Sequence, residues 1–128
     1  MSFTHAKSKS ITTSTGQVSK SNNYSAECQI EIDVAIADSE TDYEVNIALD
    51  VSQVVSFFIV SDQAITLETN DGTTPDDTLS LVADKVYDWD SDSYDNFKLT
   101  TDVTNFYFTN ASGSTANVQI RVLVDPTP

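Results

Sequence analysis

The sequence predicts an all-β protein: a two-sheet antiparallel sandwich of the jelly-roll type, with an immunoglobulin-like sandwich as the second choice, and an extended N-terminal arm. Apolar side chains recur at alternate positions in about eight short or medium segments, which is the period of a half-buried strand. No segment shows the repeat of an amphipathic helix. Polar turns hold the glycines and separate the segments, and this pattern favours a two-sheet sandwich.

The N-terminal segment differs from the rest of the chain in charge. Residues 1–20 hold three lysines and no acid, whereas all 20 Asp and Glu residues lie at Glu27 or later. The net charge is therefore +3 for residues 1–20 and, with three cations against 20 acids, −17 for residues 21–128. Such an arm is suited to docking on an acidic neighbour.

Residues 1–22 are rich in Ser and Thr, so alone they are expected to be disordered and to gain order on a neighbouring subunit. We therefore predict an arm over residues 1–22 and a sandwich domain over residues 23–128. The arm residues predicted to form an interface are Phe3, Lys7, Lys9, Ile11 and Lys20.

The first strand of the body is predicted to run without interruption from Tyr24 to Ile36, because apolar residues alternate over that range. Cys28 falls on its apolar face and is expected to be a small buried thiol. Residues 43–49 form its hairpin partner after a polar turn.

Residues 54–60 are a continuous apolar run, which predicts a strand buried on both faces. The next strand, around Ile65 and Leu67, ends at a tight turn in which Gly72 is expected to supply a positive φ. Asn110 matches a glycosylation acceptor but is assigned to a turn with Gly113. The remaining strands are predicted around residues 79–81, 86–89, 106–108 and 118–124, and the predicted core residues are Ile30, Ile32, Val34, Val45, Ile47, Leu67, Phe106, Phe108, Ile120 and Val122.

Composition excludes several functional classes. A pI near 4.1 disfavours nucleic acid as a partner, and no apolar run approaches the roughly 18 residues of a membrane span. The N-terminal segment lacks the apolar stretch of a secretory signal, so the chain is expected to be used without export. The single cysteine, which cannot form an internal disulfide, fits a reducing cytoplasm.

The sequence offers no catalytic constellation. Its one histidine, His5, lies in the arm, so Ser-His-acid and Cys-His chemistry is poorly supported. Among 20 carboxylates, acid pairs arise by chance and do not indicate a glycosidase. We predict a protein that is not an enzyme and needs no cofactor.

One acidic string resembles the start of a calcium loop. Asp88, Asp90 and Asp92 follow a D-x-D-x-D pattern, but Ser93 and Leu99 stand where an EF-hand needs Gly and Glu. Two interpretations remain open: a calcium site of another type, and a solvated acidic loop.

Aromatic residues are interleaved with these acids. Rings beside carboxylates are typical of sugar-binding platforms, and aromatic side chains also anchor protein interfaces or close the end of a sandwich. All three interpretations remain open for the cluster Tyr87, Trp89, Tyr94 and Phe97, which we predict as a second interface region.

Three stretches carry a resemblance to a known class of protein: Phe58–Gln63, Asp77–Leu81 and Asp102–Asp125. They resemble small β proteins of tailed-bacteriophage virions, and in particular capsid decoration, or cement, proteins. The resemblance implies a homotrimer on the outer surface of the capsid, made in the host cytoplasm, which stabilises the head by binding between subunits of the major capsid protein. The alternative is a carbohydrate- or receptor-binding module of a virion fibre or a cell-surface protein, which would place the aromatic cluster in an exposed groove.

Overall fold

The computed structural model describes residues 2–126, and strands dominate it. Within these residues the only helical element is a single 3-10 turn, Val51–Gln53, so the all-β prediction is confirmed. The strands are β1 (Phe3–Thr13), β2 (Gly16–Ala26), β3 (Cys28–Ile36), β4 (Tyr43–Leu49), β5 (Val54–Ser61), β6 (Ile65–Thr69), β7 (Thr78–Leu81), β8 (Tyr87–Asp90), β9 (Val103–Thr109) and β10 (Ala116–Val124).

Eight of these strands form two antiparallel four-stranded sheets. The first sheet has the order β3-β10-β5-β8, and the second has the order β4-β9-β6-β7. Consecutive strands of the sandwich lie in opposite sheets, except for β6 and β7, which are neighbours in the second. The predicted hairpin between residues 43–49 and the strand before them is therefore wrong, because β4 pairs with β9. The two sheets pack face to face around one core, so the predicted antiparallel sandwich is confirmed.

The core lies between the sheets and is dominated by three fully buried rings, Phe57, Phe106 and Phe108. Every residue predicted to point inward belongs to this core. Ile30, Ile32, Val34 and Val45 are only half-buried, because β3 and β4 are edge strands with a neighbour on one side. Leu99, which lies in the connection between β8 and β9 and was not predicted, is 1% exposed.

The predicted uninterrupted strand from Tyr24 to Ile36 is wrong. A bend at Glu27 separates β2 from β3, and the two strands belong to different sheets. Cys28 begins β3 and is exposed, so the predicted buried thiol is also wrong. The apolar alternation continues through the bend, but Tyr24 packs against the outer face of the first sheet rather than into the sandwich core.

The turn after β6 differs from its prediction. Asn70 rather than Gly72 takes the positive φ, at 68°. A Cβ at position 72 would lie 2.5 Å from Cγ of Asp42, so any residue other than glycine would require the Asp42 side chain to move. The constraint is a close approach between two loops.

The N-terminal arm is a β-hairpin. β1 and β2 pair without a break from Phe3 opposite Ala26 to Thr13 opposite Gly16. The arm is thus ordered as a ribbon within a single chain, contrary to the expectation that order requires a neighbouring subunit.

No helix in the described part of the chain is long and apolar enough to cross a membrane.

A candidate binding cleft between the hairpin and the first sheet

The pairing of β1 with β2 sorts the side chains of the hairpin by size. Because side chains alternate along a strand, the register places all the larger ones on one side, which we call the large-residue face. The opposite face carries only Thr, Ala, Ser, Asn and Gln residues. The large-residue face consists of Phe3, His5, Lys7, Lys9 and Ile11 on β1 and of Val18, Lys20, Asn22, Tyr24 and Ala26 on β2.

The base of this face packs on the sandwich. Tyr24 and Ala26 are buried together with Leu123 in a small cluster separate from the main core, and Phe3 and Val55 pack against it. The cluster lies on the outside of the first sheet. It fixes the hairpin to its own domain through apolar contact.

Lys7 joins the hairpin to β8. Its ammonium donates to the carboxylate of Asp88, to the carbonyl oxygen of Trp89 at 3.1 Å and to Oδ2 of Asp90 at 3.4 Å. The same ammonium lies 5.6 Å from the ring centroid of Tyr24, within cation–π range. These contacts are half-buried, so solvent screens them less than a surface ion pair.

Two more hydrogen bonds hold the hairpin to the body. The hydroxyl of Tyr24 donates to Oδ2 of Asp92 at 3.0 Å, and Nε2 of His5 lies 2.9 Å from Oε1 of Gln29. Burial, followed by hydrogen bonding to Asp92 and Asp90, raises the pKa of Tyr24 to about 12. The hydroxyl therefore remains a donor throughout the neutral range.

The carboxyl group of Asp90 has a lowered pKa. Partial burial opposes this shift, but the backbone N–H of Asp92, the charge of Lys7 and the hydrogen bonds from Tyr24 and Lys7 together outweigh it. Asp90 consequently stays negatively charged beside the base of the hairpin.

The aromatic cluster divides between the core and the surface. The ring of Trp89 stacks on Phe97 with centroids 4.8 Å apart, and Phe97 in turn contacts the core ring of Phe57 at 5.2 Å. Nε1 of Trp89 donates to the carbonyl oxygen of Asp95 at 2.9 Å, which holds the β8–β9 connection against the sheet. Tyr94 projects from this connection and is fully exposed.

A cleft of about 430 Å³ separates the hairpin from β8 and the β8–β9 connection. Four of the six cations of the chain line it: Lys7, Lys9, Lys20 and Lys98. The facing wall is acidic and aromatic. Its main side chains are Tyr87, Asp88, Trp89, Asp90, Asp92, Tyr94 and Asp95.

The structure brings together most of the predicted interface residues, although they come from segments about 70 residues apart. Three of them lie outside the cleft: Phe3 at the hairpin base, Phe97 beneath Trp89, and Ile11 near the hairpin tip. The cleft residues that the sequence did not single out include Asn22, Tyr24 and Lys98. Tyr24 was missed because the alternation of residues 24–36 assigned it to the core.

The three acids of the D-x-D-x-D string make hydrogen bonds or ion pairs within the chain. Lys7 bonds to Asp88 and Asp90, and Asp92 accepts from Tyr24. Over residues 2–126 no three His, Cys, Asp or Glu side chains group in a way that could hold a metal ion. The single ammonium of Lys7 offsets part of the negative charge of Asp88 and Asp90, and the calcium site stays a prediction.

Comparisons with protein-family models, with curated proteins and with solved structures found no match. The cleft combines cations, carboxylates and aromatic rings, which are groups that bind ligands or other proteins. His5 lies outside the cleft and is hydrogen-bonded to Gln29.

Proposed function

We propose that this chain is a capsid decoration protein: a non-enzymatic virion structural protein that binds, as a homotrimer, between major capsid protein subunits on the outer surface of a tailed-phage head. The observation that carries the proposal is a basic β-hairpin whose outer part is unpartnered, mounted on a strongly acidic sandwich. The sequence resemblance supports the same conclusion.

The hairpin has the form that a lattice attachment needs. Residues 8–21 are all exposed, so the outer half of the ribbon is available for a neighbour. At about 3.3 Å per residue, this half reaches roughly 20 Å. Its base is fixed by the Tyr24 cluster and by Lys7, so binding would cost less ordering entropy than binding by a disordered tail.

We also propose that the sandwich is of the jelly-roll type. Numbered from β3, the strand orders 1-8-3-6 and 2-7-4-5 support this, because a jelly roll is an eight-stranded double sheet of two Greek keys, and here every successive pair of strands except 4 and 5 changes sheet. The acidic surface fits the same role, since a net charge far from zero keeps densely decorated particles from sticking together.

The test is co-sedimentation of the full-length protein with particles assembled from the major capsid protein of the same source genome. We expect saturable binding and a higher melting temperature of the particle, because a ligand of the assembled state stabilises that state. A protein that stays in the supernatant at every concentration would refute the proposal.

The cleft supports a second candidate function, binding of a carbohydrate. Tyr94 offers an open ring face, and Asp92 and Asp95 offer carboxylates beside it. A cleft of about 430 Å³ is within the usual size of a small-molecule site, at about 300–1,000 Å³. A glycan array tests this candidate. Specific binding of a glycan that Tyr94→Ala abolishes would favour the carbohydrate-binding module over the decoration protein. Binding to no glycan on the array would rule the carbohydrate function out.

A further inference from the structure

We infer that the outer half of the large-residue face docks on the β8–β9 connection of a second copy of this chain, in a head-to-tail contact. The residues that dock are Lys9, Ile11, Val18 and Lys20, and the receiving surface is formed by Asp92, Tyr94 and Asp95. The inference rests on the homotrimer of the proposed function, and it identifies the surfaces that would hold the copies together.

The inner half of the same face shows what this face binds. From the base of the hairpin, alternate residues are buried or half-buried as far as Lys7 on β1 and Asn22 on β2. The residues beyond these two, towards the tip, are exposed. Where it is covered, the face places a lysine on two carboxylates and apolar side chains on an apolar patch. This face therefore combines a cation with hydrophobic groups, and the surface of the first sheet that it contacts combines acids with hydrophobic groups.

The outer half repeats this chemistry without a partner. Ile11 and Val18 lie opposite each other and are 62% and 73% exposed. Lys9 and Lys20 are also directly opposite, and neither has an ion pair or a side-chain hydrogen bond within the described residues. Like charges opposite each other weaken a hairpin, so this arrangement gains nothing for the isolated chain.

The chain itself carries a surface of matching chemistry. Tyr94 is the most exposed of the large hydrophobic side chains in the described structure, at 108% of its reference area, and the acids Asp92 and Asp95 flank it. Within one copy this surface lies across the cleft from the hairpin: Lys9 and Lys20 line the cleft but form no ion pair across it, and Ile11 and Val18 do not line it.

A second copy can close these contacts. Charge favours this occupant, since the outer hairpin carries Lys9 and Lys20 and residues 21–128 carry −17. The docking surface and the receiving surface consist of different residues, on the two sides of the cleft, so the contact is heterologous, and such contacts close into rings when the rotation allows. A ring of three is the homotrimer.

The test is a charge exchange followed by sedimentation velocity on full-length proteins, from low to high micromolar concentration. The parent should sediment as more than a monomer. The variant Lys9→Glu with Lys20→Glu should associate at least about tenfold more weakly, and so should Asp95→Lys, because each places like charges across the contact. Mixing the two variants should restore association, since each mixed contact again joins opposite charges.

The matched control is Lys85→Glu, which makes the same charge change at an exposed lysine outside both surfaces and should associate as the parent does. Near-ultraviolet circular dichroism checks that each variant is folded. A monomeric parent, a double variant that associates like the parent, or a mixture that stays dissociated would each overturn the inference. If the double variant loses particle binding but not self-association, the hairpin docks on the capsid, and the decoration function stands without this contact.

Discussion

At the scale of single residues, Asn110 connects the β9–β10 turn to the end of β3. Its side chain is fully buried, and Nδ2 donates to the carbonyl oxygens of Ile36 at 3.0 Å and Ser114 at 2.8 Å. Oδ1 accepts from the backbone N–H of Ser112 at 3.0 Å. The sequence predicts a turn residue here, but this burial depends on the far end of β3, which is about 70 residues away.

We expect Asn110→Ala to lower the free energy of unfolding by about 2–4 kcal/mol, because it removes the hydrogen bonds of a buried amide, including the one to the carbonyl oxygen of Ile36. Urea denaturation measures the change. The control is Ser56→Ala: Ser56 is buried, and its hydroxyl has no hydrogen-bond partner in the described structure, so removing it should change stability by no more than about 0.5 kcal/mol. Equal losses in the two variants would contradict this account of Asn110.

Tyr24 makes the attachment of the hairpin sensitive to alkaline pH. Its pKa in the folded protein, about 12, exceeds the ordinary value of 10.0. The neutral hydroxyl therefore contributes stability that is fully present below pH 10 and is lost as the pH rises towards 12. We expect the parent to be more stable than Tyr24→Phe at pH 7, and this difference to narrow between pH 10 and pH 12.

Thermal melts of both proteins across this pH range provide the measurement. Taking the difference between parent and variant cancels the titration of the other tyrosines. A gap that stays constant up to pH 12 would show that the hydroxyl does not act through its hydrogen bond to Asp92.

At the scale of elements, the hairpin offers a matched comparison along one strand. Phe3 and Ile11 lie on the same face of β1, but only Phe3 packs on the sandwich. We expect Phe3→Ala to lower the free energy of unfolding by about 1–2 kcal/mol, and Ile11→Ala by less than about 0.5 kcal/mol, because only buried apolar area contributes to folding. Measurements at low protein concentration avoid any contribution from association.

The converse is expected for self-association. Ile11→Ala should weaken it, since apolar burial at the contact between copies is lost, and Phe3→Ala should leave it unchanged as long as the hairpin stays attached. A large stability loss in Ile11→Ala at low concentration would mean that the outer hairpin already packs on its own body.

The eight strands of the sandwich could be predicted from the sequence because each has its own alternation and its own polar turns. The hairpin could not, since lysines and a histidine occupy positions between the apolar residues of its large-residue face, so the sequence shows no continuous apolar alternation. The bend at Glu27 was missed for the opposite reason: alternation continues through it while the partner strand changes. The cleft was predicted as two separate regions, and only the fold brings Lys7 to Asp88.

At the scale of the whole molecule, charge opposes folding. A net charge of −14 on 128 residues produces self-repulsion, and most of the acids are exposed. Within the described residues the cations in ion pairs are Lys7 and Arg121, too few to offset it. We expect the melting temperature at neutral pH to rise with added NaCl, because salt screens exposed charges beyond about 8 Å at physiological ionic strength.

Differential scanning calorimetry at low protein concentration measures this rise, and the same series in KCl is the control for a specific sodium effect. A melting temperature that falls with salt would show that the ion pairs of Lys7 and Arg121 outweigh the repulsion.

The one-residue joint at Glu27 has a mechanical consequence. With no slack between β2 and β3, tension on a tethered hairpin passes directly into the first residue of β3. β3 is an edge strand held by nine residue pairs to β10, so a pull along it stretches the whole ladder at once, whereas a pull across it opens the pairs one after another. In the proposed decoration role, swelling of the shell under internal pressure is expected to peel β3 from β10 first, while the central β5–β10 pair still holds the core closed.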